Sequence, residues 1–296
     1  MSDPERLFDR PLIRTRLERA ARDGIADFLI RRAAEDLEDR LGAVNRQFAR
    51  ALDLGTATDA ALAVLRRRSG TQAAHWAAPA RVSSQASLVA DEERLPFADH
   101  SFNLVTSLLA LQSVNDVPGT LIQIKRSLAP DGLFIGCLLG GSTLTELRHA
   151  FVQAESEVEH GASPRVAPFA DVRELGGLLQ RAGFALPVAD VEVVTVRYGH
   201  PLSLLRDLRA MGLTNVLGAR SRKPLRRTTL LRALEIYAAT FADADGKVRA
   251  SFDMVWLSGW APHESQQKPL RPGSAKARLA DALKTIELKA GDKAGN

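Results

Sequence analysis

An α/β fold, with a mostly parallel sheet covered by helices on both faces, is the architecture the residues predict. Short apolar runs alternate with longer helical patterns through most of the chain, which is how βαβ units read in sequence. The runs are nearly continuous instead of alternating apolar with polar, as strands buried on both faces are. The first run, Ala51-Leu52-Asp53-Leu54, closes on Gly55 just before a helical pattern, the place where a doubly wound sheet turns from strand to helix.

Residues 1–48 read as a helical extension, with Ile25, Phe28, Leu29, Ala33, Leu37 and Leu41 spaced by helical turns among Arg, Asp and Glu. Residues 49–262 form the α/β domain. Its expected strands are 51–55, 72–76, 87–90, 102–108, 133–139, 188–196 and 252–260, which makes a seven-stranded sheet. Helices are expected over 59–68, 117–128, 142–158 and 171–181, the last closed by Gly183 as its C-terminal cap. Ala129-Pro130-Asp131-Gly132 reads as a turn. A helical insertion, 201–245, precedes the last strand and is interrupted near Gly212 and Gly218. Residues 263–296 are a tail rich in Pro, Gly, Gln, Lys and Ala, read as partly disordered with a loose helix over 274–288.

The chain has 296 residues and a net charge of +5. This excess is too small to imply DNA. It is partly local, in the run Arg220 to Arg227 and in Lys276, Lys284, Lys289 and Lys293. A solvated face and tail account for it; an acidic partner, a membrane surface or RNA are the alternatives. No RNA-binding motif or aromatic platform supports RNA. The single cysteine, Cys137, excludes an intramolecular disulfide and a Cys-based zinc cluster, and its apolar strand makes it a core thiol. The six histidines show no metal-binding spacing, so no metal is expected. The longest apolar stretches, 104–111 and 133–139, are too short to span a bilayer. The first residues lack an apolar targeting segment. A cytoplasmic location, at most peripheral to the inner face of the membrane, is the expectation.

Chemistry in such a sheet is sought at the carboxyl ends of its strands. The first turn is Asp53-Leu54-Gly55-Thr56-Ala57-Thr58-Asp59. It is followed by Asp91-Glu92-Glu93-Arg94-Leu95-Pro96-Phe97, by Phe102-Asn103-Leu104-Val105 and by Pro130-Asp131-Gly132. In order and spacing this set resembles the class I S-adenosylmethionine-dependent methyltransferases. The resemblance implies a Rossmann-like fold, S-adenosyl-L-methionine as cofactor, and cofactor contacts at Asp53, Gly55, Thr56, Asp91, Glu92 and Leu108, the acids after the third strand serving the adenine. The sequence departs from the family pattern in several places. The later glycines of the first turn are Ala57 and Asp59, which place a methyl and a negative charge near the cofactor. The acid that would hold the ribose hydroxyls falls at or beside His75-Trp76, with no acid between Thr71 and Ala90. Asn103 stands for the fourth-strand acid, and Gln112-Ser113 replaces the family's His-Trp. Losing such contacts weakens cofactor affinity.

A second set of motifs resembles one branch. It includes Leu7-Phe8-Asp9-Arg10 with Arg14 and Arg16, Val114-Asn115-Asp116, and Gly140-Gly141-Ser142-Thr143 running to Arg148. Leu88 to Glu92, Ser163 to Phe169, Leu175-Gly176, Arg181 to Phe184, Met211-Gly212 with Asn215, Gly259-Trp260 and His263-Glu264-Ser265-Gln266 also belong to it. The branch is that of respiratory complex I assembly factors of methyltransferase fold, related to the malonyl-carrier methyltransferases of the biotin pathway. It implies a protein substrate or assembly partner, such as a complex I subunit, with methyl transfer or arginine hydroxylation as the activity. The alternative is a non-catalytic relative in which the fold persists as a binding or assembly scaffold. Methyl transfer depends mainly on positioning, and the sequence names no catalytic proton-transfer pair. Glu146, Arg148 and Arg165 follow the Gly-Gly turn and are expected to line the substrate mouth, with helix-surface salt bridging as their other reading.

Overall fold

A computed structural model describes residues 6–267. The expected tail helix over 274–288 lies outside the described residues. The compact unit ending at His263 holds the whole sheet.

The N-terminal extension is two helices, α1 (Arg10–Asp23) and α2 (Phe28–Gly42). The Asp9 carboxylate caps α1 by accepting from the Leu12 amide. The sheet consists of β1 (Arg50–Leu54), β2 (Ala73–Ala78), β3 (Leu88–Val89), β4 (Phe102–Leu108), β5 (Leu128–Leu139), β6 (Ala185–Tyr198) and β7 (Val248–Trp260). Their order is β3-β2-β1-β4-β5-β7-β6. The first five run parallel, and β7 is antiparallel to both β5 and β6. The helices between them are α3 (Ala60–Arg67), α4 (Val117–Ser127), α5 (Thr145–Glu159), α6 (Val172–Arg181), α7 (Pro201–Ala210) and α8 (Arg227–Phe241). α6 begins with a full capping box, Asp171 and Glu174 each accepting from the other's amide.

Two layers sandwich the sheet. Leu37 and Leu41 of α2 pack with Leu65, Leu104, Ile135 and Trp256 on one face. Leu121, Ile124, Leu175 and Leu179 of α4 and α6 pack with Leu52, Val105 and Phe134 on the other. A third group joins α5, α7 and α8 to Tyr198 and Phe252.

Several sequence expectations shift. β2 runs to Ala78, two residues past the expected end, and β3 is a two-residue strand. Ala129 to Gly132 is a bulge inside β5, with Asp131 at φ 61° and the register slipping between the Phe102–Leu128 and Leu104–Leu133 pairs. The β4 neighbour supplies pairing on both sides of the slip, so the chain continues as one strand. The insertion is two helices separated by an irregular stretch, 211–226. That stretch is tied to the extension: Asp9 N donates to Val216 O at 2.9 Å, and Gly218 N donates to Leu7 O at 2.8 Å.

Candidate functional site

A cavity of about 340 Å³ opens at the carboxyl ends of β1 and β4, within the size range of small-molecule sites. Gly55, Ala57, Glu92, Leu109 and Ala110 line it, together with Leu144, Phe151, Met211 and Phe252 and with Ile13 and Leu17 of α1. The walls are largely apolar, and the charged side chains facing it are Arg10, Glu92 and Arg165.

Gly55 is built into this wall by its neighbours. It has φ 79°, a left-handed conformation that favours glycine, and its amide donates to Ala77 O at 2.9 Å. Beneath it, the Thr56 hydroxyl donates to Asp53 Oδ1 at 2.6 Å and accepts from the Leu108 amide at 3.1 Å. The Trp76 indole donates to Thr56 O at 2.9 Å. Asp53 is fully buried. Burial pushes its carboxyl up to about 7, against the lowering by its bonds to Thr56 and Thr106. Its Oδ2 has no partner among the described residues. Of the expected contacts, Gly55 and Glu92 therefore face the cavity, whereas Asp53, Thr56 and Leu108 lie under the turn and shape it.

The loop after β3 is clamped by α1. Arg10 pairs with Glu92 and, at 3.1 Å, with Asp91; Arg14 pairs with the other oxygen of Asp91. Glu93 accepts from the Asn115 amide at 2.7 Å, and Thr120 Oγ1 donates to Glu92 O at 3.0 Å. Burial works to raise the Asp91 carboxyl, but the Glu93 amide and Arg10 outweigh it and hold it below its ordinary value. Glu92 is almost wholly buried, and there burial wins over Arg10 and raises it. Burial also works against the Arg10 charge, and the two carboxylates more than restore it. Asp91 does not line the cavity. No local signal marks Arg10 as a cavity residue, because its carboxylate partners lie 81 and 82 positions away in the chain.

The expected substrate mouth is redistributed. The buried Glu146 accepts from Ser251 Oγ at 2.6 Å and so fastens α5 to β7. Arg148 donates to Ala167 O at 2.9 Å. Neither lines the cavity. Their positions in the first turn of α5 face β7 and the 163–169 segment instead. Arg165 does line it. It pairs with the buried Glu155 at 2.5 Å and lies 5.8 Å from the Phe151 ring centroid.

The departures from the family pattern also relocate. The carboxyl end of β2 is Ala78, so the ribose-acid position falls at Pro79 and Ala80; His75 is exposed mid-strand beside Leu52. Pro79 lines the cavity. Asn103 sits at the opposite end of β4, accepting from the Arg50 amide. Asp59 is exposed at the start of α3 and outside the cavity lining, and Ala57 packs with Phe8, Ile13 and Leu17. Among the described residues no group of His, Cys, Asp and Glu is arranged to hold a metal ion. Burial raises the Cys137 thiol well above its ordinary range, which leaves it a core residue. In the basic run, Arg220 is engaged by Asp9 at 3.0 Å, while Arg222, Lys223, Arg226 and Arg227 are exposed.

A bare-backbone turn against an apolar shelf, with one carboxylate at its rim, fits an adenosyl-bearing cofactor. A Cβ on Gly55 would meet Glu92 Oε1 at 2.7 Å and Ala110 Cβ at 2.8 Å, so the position accepts only glycine because these two side chains pack against its Cα. The sheet order with its antiparallel β7, and this site, define the class: an α/β, Rossmann-like methyltransferase fold. Residues 25–187 match the methyltransferase domain family, and the chain belongs to that family.

More particular relatives agree. The chain is 39% identical over 294 residues to the mitochondrial arginine-hydroxylase NDUFAF5 of Homo sapiens, covering 95% of this chain and 85% of that one. The Danio rerio protein of the same name is 38% identical over 280 residues, covering 88% and 84%. A malonyl-[acyl-carrier protein] O-methyltransferase of Halorhodospira halophila is 34% identical over 275 residues, covering 88% and 91%. Among solved structures, the YcgJ protein of Bacillus subtilis shares the fold, with a TM-score of 0.52 at 15% identity, covering 78% of this chain and 99% of that one.

Proposed function

We propose that this chain is an S-adenosylmethionine-dependent protein of the complex I assembly type, acting on a side chain of a protein substrate, with a respiratory complex I subunit as that substrate. The observation that carries the reading is one continuous chamber, from the Gly55 turn and Glu92 to the apolar wall at Phe151, Met211 and Phe252. Cofactor and substrate side chain can share it. S-adenosylmethionine, when bound, supplies an electrophilic methyl group. The chain contributes positioning: the Gly55 turn with Glu92 forms part of the wall, Leu109 and Ala110 give an apolar shelf, and most of the remaining lining is apolar. The extension 1–48 and the insertion 201–245 act as one cap, a reading supported by the bonds from Asp9 to Val216 and from Gly218 to Leu7.

The relatives named arginine-hydroxylase favour an arginine as the modified residue, and the carrier-protein methyltransferases favour methyl transfer. Mass spectrometry of complex I subunits from cells with and without the protein separates the two, as a gain of one oxygen or of one methylene. The proposed place of action is the cytoplasm at the inner face of the respiratory membrane. No helix among the described residues is long and apolar enough to cross a membrane.

The first experiment is calorimetric titration of the protein with S-adenosylmethionine, paired with thermal unfolding. Ligand at a hundredfold its Kd stabilises the fold by about 2.7 kcal/mol, so a raised Tm is the expected result. No heat and no shift at millimolar ligand overturns the cofactor-dependent reading and leaves the assembly scaffold.

A further inference from the structure

A ribose bound in an α/β sheet is held by a carboxylate that accepts from its hydroxyls, because a buried hydroxyl without a partner costs affinity. In this chain the end of β2 cannot provide it. Ala78 is followed by Pro79 and Ala80, and no acid occurs between Thr71 and Ala90. Yet one carboxylate does face the cavity. Among its described lining residues the only acid is Glu92, delivered by the loop after β3.

Its route matters. The sheet order is β3-β2-β1, so Glu92 reaches from beyond β3 to the turn that ends β1. Its Oε1 stands 2.7 Å from where a Cβ on Gly55 would be. A carboxylate oxygen thus rests against the bare backbone of the first turn, a contact that glycine alone permits. The side chain and the backbone of Glu92 are each fixed there. Arg10 holds Oε2, and Thr120 holds the Glu92 carbonyl at 3.0 Å. Asp91, its neighbour, is turned out of the cavity onto Arg10 and Arg14.

We infer that Glu92 is the ribose-diol acceptor of this protein, standing in from the β3 loop for the carboxylate that β2 lacks. Arg10 is then a positioning residue, which keeps that carboxylate aimed at Gly55. The inference rests on the proposed cofactor dependence, and deepens it by assigning the sugar contact to a residue outside β2.

The test uses the intact protein and binding alone. S-adenosylhomocysteine and its 2′-deoxy and 3′-deoxy ribose analogues are titrated by calorimetry into the wild type, Glu92→Gln and Glu92→Asp. For the wild type the analogues are expected to bind about 10- to 100-fold more weakly than S-adenosylhomocysteine. Glu92→Gln keeps an amide oxygen for Arg10 but loses the ionised acceptor. It should bind S-adenosylhomocysteine weakly and no longer distinguish the analogues. Glu92→Asp, which keeps the charge but withdraws it by one methylene, should also lose affinity. Equal binding of all three ligands by the wild type overturns the inference without recourse to any variant. Unchanged or tighter binding by Glu92→Gln overturns it too, and would mean that the Glu92–Arg10 pair obstructs the site. A wild type that binds none of the ligands at millimolar concentration removes the cofactor reading itself, and the inference with it. That result is distinct from binding that ignores the ribose.

Discussion

Gly55 meets two demands at one position. Its φ of 79° is left-handed, and its missing Cβ leaves room for Glu92 Oε1 and Ala110. The backbone alone costs an alanine about 1–2 kcal/mol, and the displaced carboxylate adds to that. Gly55→Ala is expected to lower stability by at least this much and to abolish S-adenosylhomocysteine binding, read by thermal melting and calorimetry. Asp53 makes a pH-dependent prediction. Burial raises its carboxyl from 3.8 to about 7. Between those values the folded protein holds a proton that the unfolded chain has released. Stability from this group therefore falls as pH rises from 4 to 7, by about 1.4 kcal/mol for each pH step of one, and levels off above. Asp53→Asn should lose that slope, gaining on the wild type by a few kcal/mol between pH 4 and 8 in denaturant titrations. Parallel curves for the two proteins would show that Asp53 is ionised throughout.

At the scale of elements, α1 is the part whose role depends most on distant partners. Its Arg10 side chain is 8% exposed, against 2% for Glu92 and 28% for Asp91. Removing one partner of a buried pair costs about 3–5 kcal/mol, because the other charge is stranded. Arg10→Ala is expected to destabilise by that order. Arg14→Ala should cost under about 1 kcal/mol, since its side chain is 42% exposed. Urea midpoints of the two variants compare them directly, and similar losses would contradict a buried clamp. Helix patterns of this kind are legible in sequence: the apolar stripe of α2 and the Asp171–Glu174 box of α6 both appear where local spacing puts them. The bulge in β5 is not, because Pro130-Asp131-Gly132 has the chemistry of a turn and only the pairing of β4 on both sides makes it part of a strand.

For the molecule as a whole, the most buried strands lie centrally in the sheet. Leu52 of β1, Val105 of β4 and Phe134 of β5 have no exposed area. Among the described residues, hydrogen exchange is expected to be slowest in these strands and fast in 43–49 and in the basic stretch 222–227. Protection centred on α1 or α8 instead would mean that the cap, not the sheet, is the stable nucleus. The exposed stretch Arg222 to Arg227 keeps its charges in solvent while Arg220 is drawn in by Asp9. One run of like charges thus occupies two environments that its sequence does not separate.

The residues alone determined the seven strands, their alternation with helices, the glycine at the first turn and the family motifs that surround it, because period, turn chemistry and apolar content are local properties. The division of labour within the site was decided by the tertiary structure. Asp53, Thr56 and Leu108 went beneath the turn, and Glu146 and Arg148 went to fastening α5. Arg10 arrived from the far end of the chain, and Glu92 was laid against Gly55. Which carboxylate faces a cavity depends on which cation reaches it and on the bare Cα beside it. Both are set by contacts between residues far apart in sequence, and no local pattern encodes them.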